Sequence, residues 1–207
     1  MHKTLLTLAA AAGLAVAATA PGTAATHPLA TDPVGDAGLG FARVDTVIIG
    51  APNNPGIDIV WADINADATT LAVSFGIDDL AGSTTVTGYD DYSAVLQIGG
   101  TEIDLEARRN PQTGDQAATA VYRNESNPVG IFVSGVGAAF SVASGTVVIT
   151  VPLADLNALA ASLGDPPVGV GSVVDHAPFW TSSRQSPSGP AHAHDDVNPI
   201  MGYELGT

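Results

Sequence analysis

Residues 92–107, YSAVLQIGGTEIDLEA, decide the fold class of this chain. Apolar residues alternate with small or polar ones up to Ile98, the pair Gly99-Gly100 follows, and the alternation resumes from Glu102 to Ala107. A period of two places one side of each strand in a core and the other side in water. Because a glycine pair between two such segments is a hairpin signal, the stretch predicts two antiparallel strands joined by a tight turn.

The same alternation recurs along most of the chain. It is clearest at Leu71–Ile77 and at Val147–Val151. Turn signals rich in Gly, Pro, Asn and Ser separate the segments at short spacings. Further strand candidates are Val44–Ile49, Ile57–Ile64, Ala118–Arg123, Val129–Val133, Val136–Val142 and Val168–Val174. This pattern predicts an all-β fold, an antiparallel two-sheet β-sandwich of the jelly-roll or Ig-like kind.

One segment departs from the period of two. Apolar residues between Leu153 and Leu163 recur at helical spacing, with Pro152 before them and Gly164 after them. The sequence therefore predicts one short helix. The polar stretch from Thr181 to Asp196 predicts a long surface loop, and Met201–Leu205 predicts a final strand.

The first 25 residues have the features of a secretory signal peptide. Lys3 supplies a positive start, Leu5–Ala18 is apolar, and small residues precede a cleavage position near Ala25. A membrane anchor is the alternative, but the apolar run is short and rich in alanine. We expect residues 26–207 to form a single domain that is secreted, extracellular and without a membrane span after signal removal.

Composition excludes several classes of partner and chemistry. The chain has 207 residues, 6 Lys and Arg against 21 Asp and Glu, and a formal charge of −15. Such a charge repels nucleic acid and anionic polymers. Cysteine is absent, which excludes disulfides, zinc-thiolate sites and thiol catalysis. The preference for Arg over Lys and the high Ala and Asp content favour a bacterial origin.

Four short motifs carry a resemblance to a known family. They are DPVGD at 32–36, PGIDI at 55–59, DATTLAVSF at 67–75 and IDDL at 77–80. Together they resemble the start of the β-sandwich modules grouped with family 9 carbohydrate-binding modules and DOMON-like domains. The nearest likeness is to the C-terminal module of secreted glucodextranase-type enzymes. The resemblance implies binding of a glycan or another small ligand, with structural calcium in some members.

Aromatic side chains are the expected ligand contacts of such a module. A sugar packs its C–H face on a flat ring, while polar side chains hydrogen-bond its hydroxyls. The candidates are Trp180, Trp61, Tyr122 and Tyr92. Trp61 lies in a predicted strand, where a large ring is more often part of the core. Trp180 lies beside the predicted loop, where it either meets a ligand or covers one end of the core.

Two groups of residues could hold a metal. Asp32 and Asp36 lie in one tight turn, and Asp195-Asp196 would join them if both parts of the chain run side by side. Carboxylate and carbonyl oxygens suit calcium, and capping of the turn is the alternative reading. His192 and His194 would suit a transition metal if they lay on a strand, and a solvated loop is the alternative.

These observations predict a secreted, non-catalytic binding module for a glycan or cell-wall polymer, with calcium as the only expected cofactor. The alternative is a structural protein of the cell envelope or surface layer. A metal-dependent hydrolase using His192 and His194 is a third reading. G-x-S-x-G is absent from the chain, and no catalytic residue is nominated.

Overall fold

The alternating segments form strands, and the segment with helical spacing forms a helix. The computed structural model describes residues 29–32, 54–85, 88–184 and 191–206, with the backbone alone at 184 and 191–193. The elements are β1 (Ala30–Thr31), β2 (Ile59–Ala66), β3 (Thr70–Ile77), β4 (Tyr89–Ile98), β5 (Thr101–Arg109), β6 (Gln116–Asn124), β7 (Asn127–Phe132), β8 (Gly137–Ser141), a 3₁₀ turn (Val142–Ser144), β9 (Thr146–Pro152), α1 (Leu153–Leu163), β10 (Val173–Arg184) and β11 (Ala191–Glu204).

The strands pair into two sheets. One sheet has five strands in the order β1-β2-β3-β9-β8, and the other has six in the order β11-β10-β4-β5-β6-β7. Every neighbouring pair is antiparallel. The prediction of an antiparallel two-sheet β-sandwich with one short helix is therefore confirmed.

The core lies between the inner faces of the two sheets. Phe75 of the five-stranded sheet packs edge-on against Tyr92 and Phe179 of the six-stranded sheet, with ring centroids 6.2 and 5.8 Å apart. In β5, Ile103, Leu105 and Ala107 are buried while the residues between them are partly exposed. Each large apolar side chain that is buried in this way contributes roughly 1.5–3 kcal/mol.

The turn between β4 and β5 has the predicted chemistry. Gly99 and Gly100 both have positive φ, at 56° and 86°. A two-residue hairpin turn of type I′ requires positive φ at both positions, which glycine adopts without strain. The register of the hairpin then runs from Ile98 opposite Thr101 to Asp90 opposite Arg109.

The helix α1 begins and ends as the sequence predicts. Pro152 precedes its first residue, and Gly164 follows it in the left-handed conformation with φ 83°. The N–H of Gly164 donates to the carbonyls of Ala160 and Ala161. Leu153, Leu156 and Ala160 are buried, so one side of the helix closes the core. Within the described parts of the chain, no helix has the length and hydrophobicity to cross a bilayer.

Two predictions of local structure are wrong. The strand predicted at Val168–Val174 begins only at Val173 and continues to Arg184, because Gly171 turns the chain with φ 86° and donates to Leu205. Much of the predicted loop at 181–196 is strand, since Thr181–Arg184 belong to β10 and the chain from Ala191 onward belongs to β11. Polar residues occupy these strands because they lie on an outer sheet face or in buried hydrogen bonds.

Some predictions concern residues outside the described ranges. These are the signal peptide at 1–25, the strand at 44–49 and the calcium candidate Asp36.

Candidate functional site

The outer face of the six-stranded sheet carries Trp180. The chain neighbours of Trp180 are Phe179 and Thr181, which are both buried on the inner side of β10. Trp180 therefore projects outward, and its ring is partly exposed. Its cross-strand neighbours are Ser93 of β4 and Asp196 of β11. We call this surface the Trp180 face.

Polar side chains extend the row that begins at Trp180. Glu106 of β5 is opposite Ser93, and Thr119 of β6 is opposite Glu106. A second row beside it joins Ser182, Asp91 and Arg108 across the strands β10, β4 and β5. The Trp180 face thus combines one large aromatic ring with polar groups, of which Thr119 is exposed and Glu106 and Arg108 are partly exposed. Asp91, Ser93 and Ser182 are buried.

Ion pairs hold the charged side chains of the Trp180 face in place. The Nε of Arg108 lies 3.3 Å from Oδ1 of Asp91, whose side chain is only 2% exposed, and Arg108 also pairs with Glu106. Further along β5, Arg123 of β6 lies 3.0 Å from Glu102 and also pairs with Asp104. Paired side chains are preorganised, so a ligand that binds here loses less energy in ordering them.

The second tryptophan lies on the outer face of the other sheet. Trp61 is opposite Gly76 in the pair β2–β3, and opposite Thr31 of β1 on its other side. A β carbon at Gly76 would overlap the indole ring of Trp61, so the ring covers the backbone of the neighbouring strand. Trp61 is partly exposed and is not part of the core.

The two tyrosines proposed as ligand contacts are fully buried. Tyr92 packs between the sheets, and its hydroxyl donates to the carbonyl of Gly56 at 2.7 Å. The hydroxyl of Tyr122 donates to Asp165 at 2.8 Å. Burial raises the pKa of both hydroxyls, and the Asp165 carboxylate raises the pKa of Tyr122 further. A ring with no exposed surface offers a sugar nothing to stack on, so neither tyrosine enters the proposal below.

The structure describes three of the four acidic residues of the calcium prediction, namely Asp32, Asp195 and Asp196. Asp195 points into the sandwich, where its Oδ2 accepts the backbone N–H of Ile59 at 2.6 Å. Asp196, the next residue, is exposed on the opposite side of β11, next to Trp180. Asp32 follows β1, and its N–H donates to the carbonyl of Val60. Among the described residues, no group of three or more His, Asp or Glu side chains is placed to hold a metal ion.

The histidine pair lies on a strand and not in a loop. His192 and His194 both belong to β11, whose register with β10 shifts between Ser183 and Arg184. His194 is opposite Ser182 and therefore lies on the Trp180 face. The side chain of His192 is outside the described part of the structure, so a metal between the two rings stays a prediction.

Sequence reasoning missed a buried polar cluster at the end of the sandwich where β4 begins. Asp90 and Asp91, residues of a type that is common in turns, both belong to β4. Asp90 is fully buried, and its Oδ1 accepts a hydrogen bond of 2.6 Å from Thr85, whose Oγ1 accepts one from Asn54. Burial raises the pKa of Asp90. The pair Asp90-Asp91 directly before an apolar strand was the available signal.

A cavity of about 540 Å³ lies at the opposite end of the sandwich, beside the start of α1. Its lining includes Asp67, Thr69 and Asn157. Their polar groups already bond one another or the backbone: Asp67 accepts the N–H of Thr69, and Asn157 exchanges two hydrogen bonds with Val168. The hydrogen bond from the Thr69 N–H lowers the pKa of Asp67. The polar groups that line this cavity are thus already hydrogen-bonded within the chain.

No protein-family model matches the chain, and no curated protein or solved structure is similar enough to it to indicate a relationship. The resemblance to carbohydrate-binding modules accordingly stays a prediction from the sequence motifs.

Proposed function

We propose that this protein is a secreted, non-catalytic β-sandwich module that binds a glycan or cell-wall polymer on the Trp180 face. One observation carries the proposal. A partly exposed indole projects from a sheet face with Ser93 and Asp196 as its cross-strand neighbours. Sugar rings bind on such surfaces because their C–H groups pack on the indole while neighbouring side chains hydrogen-bond their hydroxyls.

The charges of the Trp180 face indicate what charge its ligand carries. Four carboxylates, those of Asp91, Glu102, Asp104 and Glu106, share the two guanidinium groups of Arg108 and Arg123. Asp196 adds a further acid beside Trp180. An excess of carboxylates disfavours anionic polymers, so we expect an uncharged or basic glycan.

The two tryptophans make a matched experiment, since the chain contains no others. In Trp61→Phe, Trp180 is the only indole, and we expect its fluorescence to change when a bound polysaccharide is added. In Trp180→Phe, the fluorescence of Trp61 should not respond. Trp180→Ala should weaken retention in a gel containing the polysaccharide by about tenfold or more, which corresponds to about 1.4 kcal/mol, whereas Trp61→Ala should not.

The outcome against the proposal is equally clear. A panel of uncharged, basic and acidic polysaccharides to which neither fluorescence nor gel mobility responds would contradict glycan binding. Loss of binding in Trp61→Ala, with binding retained in Trp180→Ala, would move the site to the other sheet.

Calcium support belongs to the same proposal and rests on the turn that the sequence predicts at residues 32–36 and on the family resemblance. Oxygen ligands from one tight turn suit this ion. A ligand that binds only the folded state raises the melting temperature. We expect the protein to melt several degrees higher in millimolar calcium than in chelator, and identical melting curves would contradict the calcium site.

A structural role in the cell envelope is the second candidate function. One observation favours it, since Val129 and Phe132 of the edge strand β7 are 86% and 73% exposed. Large apolar side chains that are exposed on an edge strand favour contacts between proteins.

A further inference from the structure

The two sheets end side by side in the edge strands β7 and β8. Residues 133–136 connect these strands directly, and β8 also contacts β6. Among the described residues, β8 pairs with β9 alone, in an unbroken register from Gly137 to Ser141. Within the described part of the chain, the other backbone edge of β8 is open to a further strand.

Proteins normally protect such edges with charges, prolines, bulges or very short strands. The opposite edges of this sandwich are protected in these ways. β1 has only two residues, and β11 carries Asp196, Glu204, Pro199 and shifts of register. β8 has the sequence GAAFS, which contains no charge and no proline, and its register has no shift. Among the edge strands that the structure describes, β8 thus lacks these protections.

The charge pattern indicates what pairs with this edge. No charged residue lies between Glu125 and Asp155, a segment that contains β7, β8 and β9, although the chain as a whole carries −15. Two copies of this chain repel each other wherever their acidic surfaces meet, and least where charge is absent. A basic partner would instead gain energy on the acidic surfaces and nothing here. The uncharged edge therefore suits a second copy of this chain.

The side chains at this edge suit self-pairing as well. An antiparallel pair of β8 strands centred on Ala139 places that small residue opposite its own counterpart. Ala139 is exposed, and Phe140 next to it packs inward on Tyr92 at 5.8 Å, so the edge is uncrowded. Five residues supply few hydrogen bonds, and Val129 on the neighbouring strand β7 supplies exposed apolar surface.

We propose that two copies of this chain pair antiparallel through β8 about a two-fold axis. The two five-stranded sheets then become one continuous sheet. The contact is the same patch on both copies, as a two-fold axis requires. The pairing does not depend on glycan binding, because the Trp180 face stays open.

Sedimentation velocity of the purified protein across a wide concentration range tests this pairing. We expect a monomer–dimer equilibrium that shifts toward dimer as salt is added, because salt screens the repulsion between two acidic molecules. Ala139→Glu places like charges at the two-fold axis and should weaken dimerisation by about tenfold or more. The matched control is Met201→Glu, which adds the same charge to a 70% exposed residue of the protected edge and should leave the dimer unchanged.

Melting curves identify any variant that fails to fold. Should Ala139→Glu unfold, Ser141→Glu, also exposed on β8, replaces it. All variants carry the same N-terminal residues, so any difference in their dimerisation comes from the substituted strand. A wild type that stays monomeric at high concentration and high salt overturns the proposal. A dimer that Ala139→Glu and Met201→Glu affect equally overturns it as well.

Discussion

Each outer face of the sandwich carries one tryptophan, and the two tryptophans differ in their cross-strand neighbours. Trp61 is opposite a glycine, Gly76, whereas Trp180 is opposite a serine, Ser93. The glycine leaves room for the indole to lie on the backbone of the next strand. Trp180 instead has hydroxyl and carboxylate groups beside it. The comparison teaches that the residue opposite each tryptophan decides its role. A glycine lets the indole pack on the backbone, whereas a polar neighbour suits the ligand contact that we propose.

The largest loss in free energy of unfolding should come from placing a serine opposite Trp61 or a glycine opposite Trp180. Gly76→Ser places a side chain where the Trp61 ring lies, and overpacking of this kind costs about 2–3 kcal/mol. Ser93→Gly removes a small buried side chain and adds chain entropy in a strand, so it should cost about 1 kcal/mol. Denaturant unfolding measures both. Equal costs would mean that the two tryptophans are packed alike.

A double-mutant cycle sharpens this result. Trp61→Ala should cost about 2 kcal/mol, because the ring is only partly buried. Once the ring is removed, Gly76→Ser has nothing to overlap, so the double variant should be about as stable as Trp61→Ala alone. Additive costs in the cycle would place the ring somewhere other than over Gly76.

The ion pairs of the Trp180 face should contribute unequally to the free energy of unfolding. Arg108→Gln removes a guanidinium from beside Asp91, which is 2% exposed, and should cost about 1–2 kcal/mol. Arg123→Gln affects Glu102 and Asp104, which are 38% and 28% exposed, and should cost less than about 1 kcal/mol. The ranking is measured by denaturant unfolding at low and high salt. A larger cost at Arg123 would contradict the assigned burial.

The smallest expected change in stability is that of a substitution at Asp90, the inward-facing neighbour of Asp91. Burial raises the pKa of Asp90 from its ordinary value of 3.8, so the ionised form costs stability at neutral pH. That cost shrinks as the pH falls through the raised pKa. Asp90→Asn should therefore melt higher than the wild type at neutral pH, and the difference should shrink in acid.

Asp67 supplies the control with the opposite sign. The N–H of Thr69 lowers the pKa of Asp67, so its ionised form stabilises the fold at neutral pH and this contribution is lost in acid. Asp67→Asn should melt lower than the wild type at neutral pH and approach it as the pH falls. If the melting temperatures of both variants, relative to wild type, changed in the same direction with pH, the opposite pKa shifts of Asp90 and Asp67 would be contradicted.

The sequence predicted the elements that local patterns determine. The hairpin around Gly99-Gly100 and the helix between Pro152 and Gly164 carry both periodicity and turn chemistry, and both are confirmed. The alternation also contained a signal that was not used. Tyr92 is in phase with the apolar positions Ala94 and Leu96, and it is buried with them.

The candidate site was less predictable, because it depends on pairing across strands that the sequence did not reveal. β10 was predicted to end near Val174, so nothing placed Trp180 on a sheet face. Its neighbours Ser93 and Asp196 are distant in sequence and come together only through the register of three strands. Likewise, no local pattern indicates that Asp195 and Asp196 point to opposite sides of the sheet.

The hydrogen bond from Ile59 to Asp195 spans 136 residues of chain and ties β2 to β11. Contacts of such high sequence separation form late, because a large loop must close before they stabilise anything, and they slow folding. The sandwich cannot close until both segments are present together. A chain that stays unfolded for longer can pass through a membrane during the export that we propose. Folding would then be completed on the far side of the membrane.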